Sequence, residues 1–254
     1  MSAGPRRFAL GPAAERPPAP APAAEAAAAL LSRRADPDPT WAGPCVEVDI
    51  GAHGMAGKLA QVPDARGLVV FAQGRCRQGV CQRRVAEVLH GYRLDTLLLD
   101  LLTPAEVSEG ARAVDLELLG RRLDAALQWS RSHVQSGRLC AGLFGACSAA
   151  AAALRTAASH PGWVAAVVSG GGRTDLMTAD GLARVQAPTL LIVGGHDSGL
   201  LQFNRNALRA LRCESRLEVV AGATHRFDEP GATETVAHLA ASWFANHLPL
   251  RAHG

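Results

Sequence analysis

The sequence predicts an α/β fold, a three-layer α/β/α sandwich built on a mostly parallel sheet of about eight strands. Two observations lead to this prediction. From Cys45 onward, short apolar runs alternate with helical patterns, as expected of a parallel sheet with helices on both faces. The chain has 254 residues, 48% hydrophobic and 19% charged, which suits one soluble domain with its own core.

The strands are predicted from short runs of apolar and β-branched residues. Gly67–Ala72 is the clearest, because its continuous apolar sequence GLVVFA is typical of a strand buried on both faces. The predicted strands are Cys45–Ile50, Met55–Gln61, Gly67–Ala72, Leu94–Leu101, Leu139–Gly145, Val164–Ser169, Thr189–Gly194 and Leu217–Val220.

The helices are predicted from apolar residues at helical spacing. In Val114–Trp129, residues Leu116, Leu119 and Leu123 fall on one face, which indicates an amphipathic helix. The other predicted helices are Gln82–His90, Ser148–Ser159, Leu200–Leu211 and Thr233–Leu248.

The first 40 residues differ from the rest in composition. They are rich in Pro and Ala, and we expect a disordered tail or linker there. Prolines and Glu15 interrupt the apolar run that a signal peptide needs. Residues 41–254 should form a single domain, and the short stretch between Ser169 and Pro188 leaves no room for a large lid.

Composition also argues against several classes of function. The net charge of +3 forms no basic stripe, so we expect no nucleic-acid partner, and no apolar run reaches the length of a membrane helix. The six cysteines are scattered, and Cys76-x4-Cys81 lacks a second ligand pair. We therefore expect no disulfide framework, no metal and a cytoplasmic protein.

The stretch Gly142–Ala149, GLFGACSA, predicts a nucleophile on a sharp turn between strand and helix. Gly145 and Ala149 supply the small residues that such a turn needs two positions before and after the nucleophile, here Cys147. The N-terminus of the following helix favours a thiolate and binds a developing oxyanion.

Two other interpretations of this turn stay open. Ser148 is a rival nucleophile, although it would lie one residue inside the helix, away from the apex. Cys147 could also be an inert thiol in a buried turn.

An acid and a histidine follow later strands in the order that this chemistry requires. Asp197 comes just after the strand Thr189–Gly194, and His225 just after the last strand. Nucleophile, acid, then histidine is the chain order of α/β-hydrolases. We predict that His225 accepts the thiol proton and that Asp197 orients the imidazole. His196 adjoins Asp197 but cannot serve as the acid.

The oxyanion hole is predicted from the backbone N–H groups of Arg75 and Ser148, because Gly74 allows a close turn directly after the third strand. The nearby arginines are interpreted as a solvated face, with contact to an acidic substrate as the alternative. They are Arg75, Arg77, Arg83 and Arg84.

From Val46 to Leu248 the sequence resembles the bacterial dienelactone-hydrolase-like branch of the α/β-hydrolases, some members of which are associated with phosphoribosyltransferase domains. The resemblance is strongest in GLVVFAQG, TLLLDLLTP, GLFGACSAAAAAL, APTLLIVGG and EVVAGATHRFDEPG. Three residues depart from the usual pattern of that branch: Gln73 replaces His, Cys147 replaces Ser and Ala149 replaces Gly. Dienelactone hydrolases themselves use a Cys–His–Asp triad.

The resemblance implies hydrolysis of a small carboxylic ester or lactone through an acyl-enzyme, without a cofactor. Two alternatives remain: a catalytically degenerate binding module, and an acyltransferase with the same triad. The sequence leaves the substrate and the oligomeric state open.

The predicted tail can be tested by truncation. A chain that begins at Asp38 should keep the melting temperature of the full chain, because residues 1–40 are expected to add no strand and few core contacts. Thermal unfolding of both chains measures this, and a large drop would contradict the prediction.

Overall fold

The computed structural model of the chain describes residues 45–50, 55–74, 80–103, 106, 115–134 and 141–248. All of these lie in Pro37–Gly254, the second of two units into which the chain divides. The predicted tail, residues 1–40, lies outside the described residues and stays a prediction. In the described part, no helix is both long and apolar enough to span a bilayer.

The described residues form one eight-stranded sheet of order β1-β2-β4-β3-β5-β6-β7-β8, which confirms the predicted fold class. The first strand pair and the β2–β4 pair are antiparallel, and all other pairs are parallel. The strands are β1 Cys45–Ile50, β2 Met55–Ala60, β3 Gly67–Gln73, β4 Leu94–Asp100, β5 Ala141–Ala146, β6 Val164–Gly170, β7 Thr189–Gly194 and β8 Ser215–Val220.

Six α-helices connect or follow the strands in the described part of the chain. They are α1 Val80–Gly91, α2 Leu116–His133, α3 Ser148–Ser159, α4 Ala179–Ala183, α5 Ser198–Ala210 and α6 Ala232–His247, with a 3-10 turn at Thr174–Leu176. The short α4 and the 3-10 turn were not predicted, because too few residues are involved to show a helical period.

Two predicted boundaries differ from the structure for identifiable reasons. Helix α2 begins after Asp115, whose side chain accepts a hydrogen bond from the Leu118 amide and caps the helix. Strand β8 begins at Ser215 rather than Leu217, because it pairs with β7 along its whole length.

The sheet separates two apolar cores, and strand β3 shows how. Its residues Leu68, Val70 and Ala72 face a core with α2, α3, α4 and α5. The alternate residues Val69 and Phe71 face a second core with α1 and α6. Successive side chains of a strand point to opposite faces of the sheet, so a strand that is buried on both sides contacts both cores. The sheet is therefore the middle one of three layers.

The strand order has a topological switch point between β3 and β5. The chain leaves β3 for α1 on one face of the sheet, whereas it leaves β5 for α3 on the other face. Such a divergence at the carboxyl ends of neighbouring parallel strands is where open α/β sheets bind ligands. Gly74 and Cys147 stand at these two strand ends.

An ion pair holds the segment that follows β4 at this edge. The buried Arg122 guanidinium of α2 donates to the Leu101 carbonyl at 2.7 Å and to both carboxylate oxygens of Glu106 at 2.7 and 2.8 Å. Hydrogen bonds from Arg122, and then from the Thr103 amide, lower the pKa of Glu106 to about 2.

This pair predicts a pH-dependent stability. A carboxyl group whose pKa falls from 4.5 to about 2 on folding stabilises the protein above pH 4.5 and loses that contribution as the pH falls toward 2. Glu106→Gln should therefore lower the free energy of unfolding at neutral pH, and the deficit should shrink in acid. Urea unfolding across this pH range measures it.

Glu87→Gln provides the control. Glu87 pairs with Arg84 on the surface, and such a pair contributes at most about 1 kcal/mol. A Glu106→Gln deficit that stayed constant down to pH 2 would contradict the assignment.

Candidate active site

Cys147 is the single residue between the end of β5 and the start of α3. Its backbone adopts φ 51° and ψ −125°, a conformation that is rare for any residue except glycine and typical of strained functional turns. Cys147 is half-buried and is a thiol rather than half of a disulfide. The predicted geometry of the turn is therefore present, with Cys147 at its apex and Ser148 as the first helical residue.

Gly145 makes this turn possible. A methyl group at Gly145 would lie 2.6 Å from the Cα of Ala150 and 2.7 Å from the carbonyl oxygen of Ala149. Strand β5 and helix α3 therefore approach too closely for any side chain at this position. Ala149 is fully buried and is accommodated in the core.

Asp197 and His225 are hydrogen-bonded to each other at the same edge of the sheet. The Asp197 Oδ2 atom accepts a hydrogen bond from the backbone N–H of His225, and it lies 3.0 Å from Nδ1 of the imidazole. Asp197 occupies the N-cap position of α5, but its side chain does not cap that helix. The carboxylate is directed to the histidine instead.

The backbone also ties the loops of these two residues together. The His196 amide donates to the Ala223 carbonyl at 2.9 Å. The side chain of His225 is 42% exposed and that of Asp197 is 29% exposed. The imidazole is therefore open to solvent while its Nδ1 edge is held by the acid.

The loop after β6 contacts both the elbow, which is the turn at Cys147 between β5 and α3, and His225. The Arg173 amide donates to the carbonyl of Cys147 at 2.9 Å. Gly171 has φ +57°, and a methyl group there would lie 2.6 Å from the His225 carbonyl oxygen and 3.1 Å from its Cβ. Cys147 and His225 therefore pack against residues only two positions apart in one loop.

The guanidinium of Arg173 is engaged by a neighbouring carboxylate. Its Nε and Nη2 atoms donate to the two carboxylate oxygens of Asp175 at 2.7 Å each. These hydrogen bonds lower the pKa of Asp175. The positive charge of Arg173 is thus paired with the negative charge of Asp175.

The oxyanion hole expected from the amides of Arg75 and Ser148 stays a prediction, because only Ser148 of the two lies in the described part of the chain. A methyl group at Gly74 would lie 3.3 Å from the Ser148 hydroxyl oxygen, so the end of β3 lies over the first turn of α3. Arg75 follows Gly74 directly, but Arg75 and Arg77 lie outside the described residues. Arg84 pairs with Glu87 and Glu234 on an exposed surface, in keeping with a solvated face.

Sequence reasoning missed the contribution of the loop after β6. The sequence feature that could have indicated it is the run Gly170-Gly171-Gly172 at the end of a strand, because glycines at a strand end allow two backbones to approach closely.

Among the described residues, no group of three or more His, Cys, Asp or Glu side chains could hold a metal ion.

Solved structures are similar to the chain in fold, and one is also similar in sequence. A dienelactone hydrolase from Anabaena variabilis shares 41% identity, with 81% of this chain and 98% of that one covered and a TM-score of 0.74. A serine hydrolase without a lid from Xanthomonas campestris has a TM-score of 0.63 at 17% identity, covering 81% and 95% of the two chains. At that identity the likeness shows the fold alone.

Curated relatives add a second comparison. Proteins from two strains of Mycobacterium tuberculosis, named as phosphoribosyl transferases, are 46% identical over 213 residues, which is 83% of this chain and 48% of theirs. The chain thus spans about half the length of the curated relatives it matches. No model of a known protein family matches the chain.

The sheet, the elbow and the strand-end residues define the fold class as an α/β-hydrolase. Because the chain is 41% identical to a dienelactone hydrolase over 98% of that protein, it belongs to the dienelactone hydrolase family.

Gly171 provides a test of how closely the loop after β6 packs on His225. Gly171→Ala should destabilise the fold more than Gly222→Ala, because Gly222 has a similar φ of +73° but no atom within 4 Å of an added methyl group. Both should incur the cost of a left-handed residue, about 1–2 kcal/mol. Only Gly171→Ala should add overpacking of about 1–3 kcal/mol.

Chemical denaturation of both variants measures the difference. Equal losses of unfolding free energy would mean that Gly171 does not pack against His225 as described.

Proposed function

We propose that the chain hydrolyses small carboxylic esters or lactones through a covalent acyl-enzyme on Cys147, with His225 as general base and acid and Asp197 as its partner. The observation that most supports this proposal is the 3.0 Å hydrogen bond between His225 Nδ1 and Asp197 Oδ2. It lies at the sheet edge where Cys147 stands on the elbow, and one loop contacts both Cys147 and His225.

A thiol suits this position chemically. The first turn of α3 directs backbone N–H groups and a partial positive charge toward Cys147, which favours the thiolate. A thiolate is also a better nucleophile than a serine hydroxyl. The resemblance to dienelactone hydrolases, which use a Cys–His–Asp triad, agrees with this assignment.

In the acylation step, Nε2 of His225 accepts the thiol proton and Sγ of Cys147 attacks the carbonyl carbon. The developing oxyanion accepts hydrogen bonds from the amides of Ser148 and Arg75, the predicted oxyanion hole. The C–O bond then breaks, and His225 donates its proton to the departing alkoxide oxygen. Asp197 holds the neutral tautomer and stabilises the imidazolium between these transfers.

In the deacylation step, His225 removes a proton from water, and the resulting hydroxide attacks the thioester. The C–S bond breaks, the acid product leaves, and His225 returns its proton to the Cys147 thiolate. If an alcohol or thiol replaces the water, the same steps give acyl transfer.

The open site favours small substrates. The connection between β6 and β7 contains only the 3-10 turn Thr174–Leu176 and the five-residue helix α4. We infer that residues 41–254 form one domain without a large lid and that its substrates are small and soluble. A reducing compartment keeps cysteine thiols reduced, and we propose the cytoplasm.

The main alternative is a binding module that has lost catalysis. The departures at Gln73, Cys147 and Ala149 favour it. Against it stand the strained turn at Cys147, a conformation typical of functional sites, and the hydrogen bond between His225 and Asp197. A thiol, an imidazole and a carboxylate are groups of acyl transfer, not of phosphoribosyl transfer.

Substitution of the candidate nucleophiles tests the proposal. With a panel of p-nitrophenyl esters and small lactones, Cys147→Ala should lower kcat by several orders of magnitude, as loss of a triad member does. Cys147→Ser should keep partial activity, because His225 can also activate a hydroxyl. Ser148→Ala should change kcat little, because the proposed mechanism uses only the backbone amide of this residue.

The reverse pattern, in which Ser148→Ala abolishes turnover and Cys147→Ala is tolerated, would assign Ser148 as the nucleophile.

Selective labelling of cysteines gives a second test of the proposal. Iodoacetamide at neutral pH should modify Cys147 faster than Cys213, because burial raises the pKa of the Cys213 thiol. Equal rates would favour the binding module.

A further inference from the structure

The loop that carries His225 is anchored on both sides. On one side it packs on the end of β7, where a methyl group at Gly194 would lie 2.4 Å from the carbonyl oxygens of both Ala223 and Thr224. On the other side, the Thr233 hydroxyl of α6 donates to the Phe227 carbonyl at 2.5 Å. His225 lies between these anchors.

One side chain closes this loop. The Oε1 atom of Glu229 accepts a hydrogen bond from the backbone amide of Thr224 at 2.8 Å. Thr224 directly precedes His225, so this bond fixes the backbone from which the imidazole projects. Inside the loop, the Phe227 amide donates to the Thr224 carbonyl at 3.2 Å.

The closed loop holds an unfavourable conformation. Phe227 is a buried aromatic residue with φ +52°, which persists only where the surroundings impose it. Without the Glu229 contact, the segment between the two anchors would gain freedom around His225.

The two oxygens of the Glu229 carboxylate differ in their surroundings. Its Oε2 atom is buried and has no hydrogen-bond partner among the described residues. Its pKa is lowered, first by a hydrogen bond from its own amide and then by that of Thr224, so the acceptor is charged at neutral pH. Charge-assisted hydrogen bonds are the stronger kind, whereas burying a carboxylate oxygen without a partner is costly. A charged acceptor thus holds the Thr224 amide, although its other oxygen is buried without a partner among the described residues.

We propose that Glu229 is a positioning residue, which holds the His225 loop so that the imidazole rests on Asp197 and faces Cys147. Its effect on turnover rests on the proposed function, whereas its effect on the geometry of His225 does not.

Three variants of the full chain test this proposal. Glu229→Ala removes the acceptor, Glu229→Gln keeps an oxygen that can accept from the Thr224 amide, and Asp228→Asn is the control. Asp228 adjoins Glu229, but its carboxylate is exposed and pairs with Arg226. Ester hydrolysis gives kcat and KM, and crystal structures of the wild type and of Glu229→Ala give the position of the ring.

Glu229→Ala should lower kcat by up to about a hundredfold, the scale of a small misplacement of a catalytic group, with little change in KM. Glu229→Gln should restore most of kcat, and Asp228→Asn should match the wild type. In crystals of Glu229→Ala, His225 Nδ1 should leave the 3.0 Å contact with Asp197 that the wild type shows.

The proposal is overturned if Glu229→Ala keeps wild-type kcat, if Glu229→Gln is as impaired as Glu229→Ala, or if the His225–Asp197 contact survives in Glu229→Ala. If the wild type hydrolyses no ester but the ring still moves in Glu229→Ala, the proposed function fails and the positioning role stands.

Discussion

The close approach of β5 to α3 is the constraint on which the site depends. Only a residue without a side chain fits at Gly145, where an added methyl group would lie 2.6 Å from the Cα of Ala150. Because α3 is buried from Ala149 through Leu154, it cannot move away to relieve the turn. The strain at Cys147, about 1–3 kcal/mol for such a conformation, is therefore sustained by core packing. The apex of the turn is therefore rigid, and core packing rather than a flexible loop holds the Cys147 thiol in place.

Much of this architecture was predictable because parallel sheets obey strong local rules. Continuous apolar runs such as Gly67–Ala72 predict strands, and polar residues just after strands predict the edge where ligands bind. For this reason Cys147, Asp197 and His225 could be selected from the sequence, and the hydrogen bond between Asp197 and His225 follows from their positions. The catalytic roles of the three residues stay predictions.

The supporting contacts could not be predicted, because they depend on long-range packing that leaves no periodic signal. Gly171 lies against His225, and Glu229 accepts from the Thr224 amide, yet each belongs to an irregular loop. Glu229 in the sequence DEPG looks like an ordinary turn residue. The short helix α4 escaped for a related reason, since five residues contain little more than one turn.

The double hydrogen bond accepted by Asp197 Oδ2 has a consequence for how this site can diverge. One oxygen orients the imidazole of His225 and also holds the backbone amide of the same residue. In evolution, an acid placed at the end of another strand could replace the first contact but not the second. The position of this carboxylate is therefore inherited together with the shape of the histidine loop.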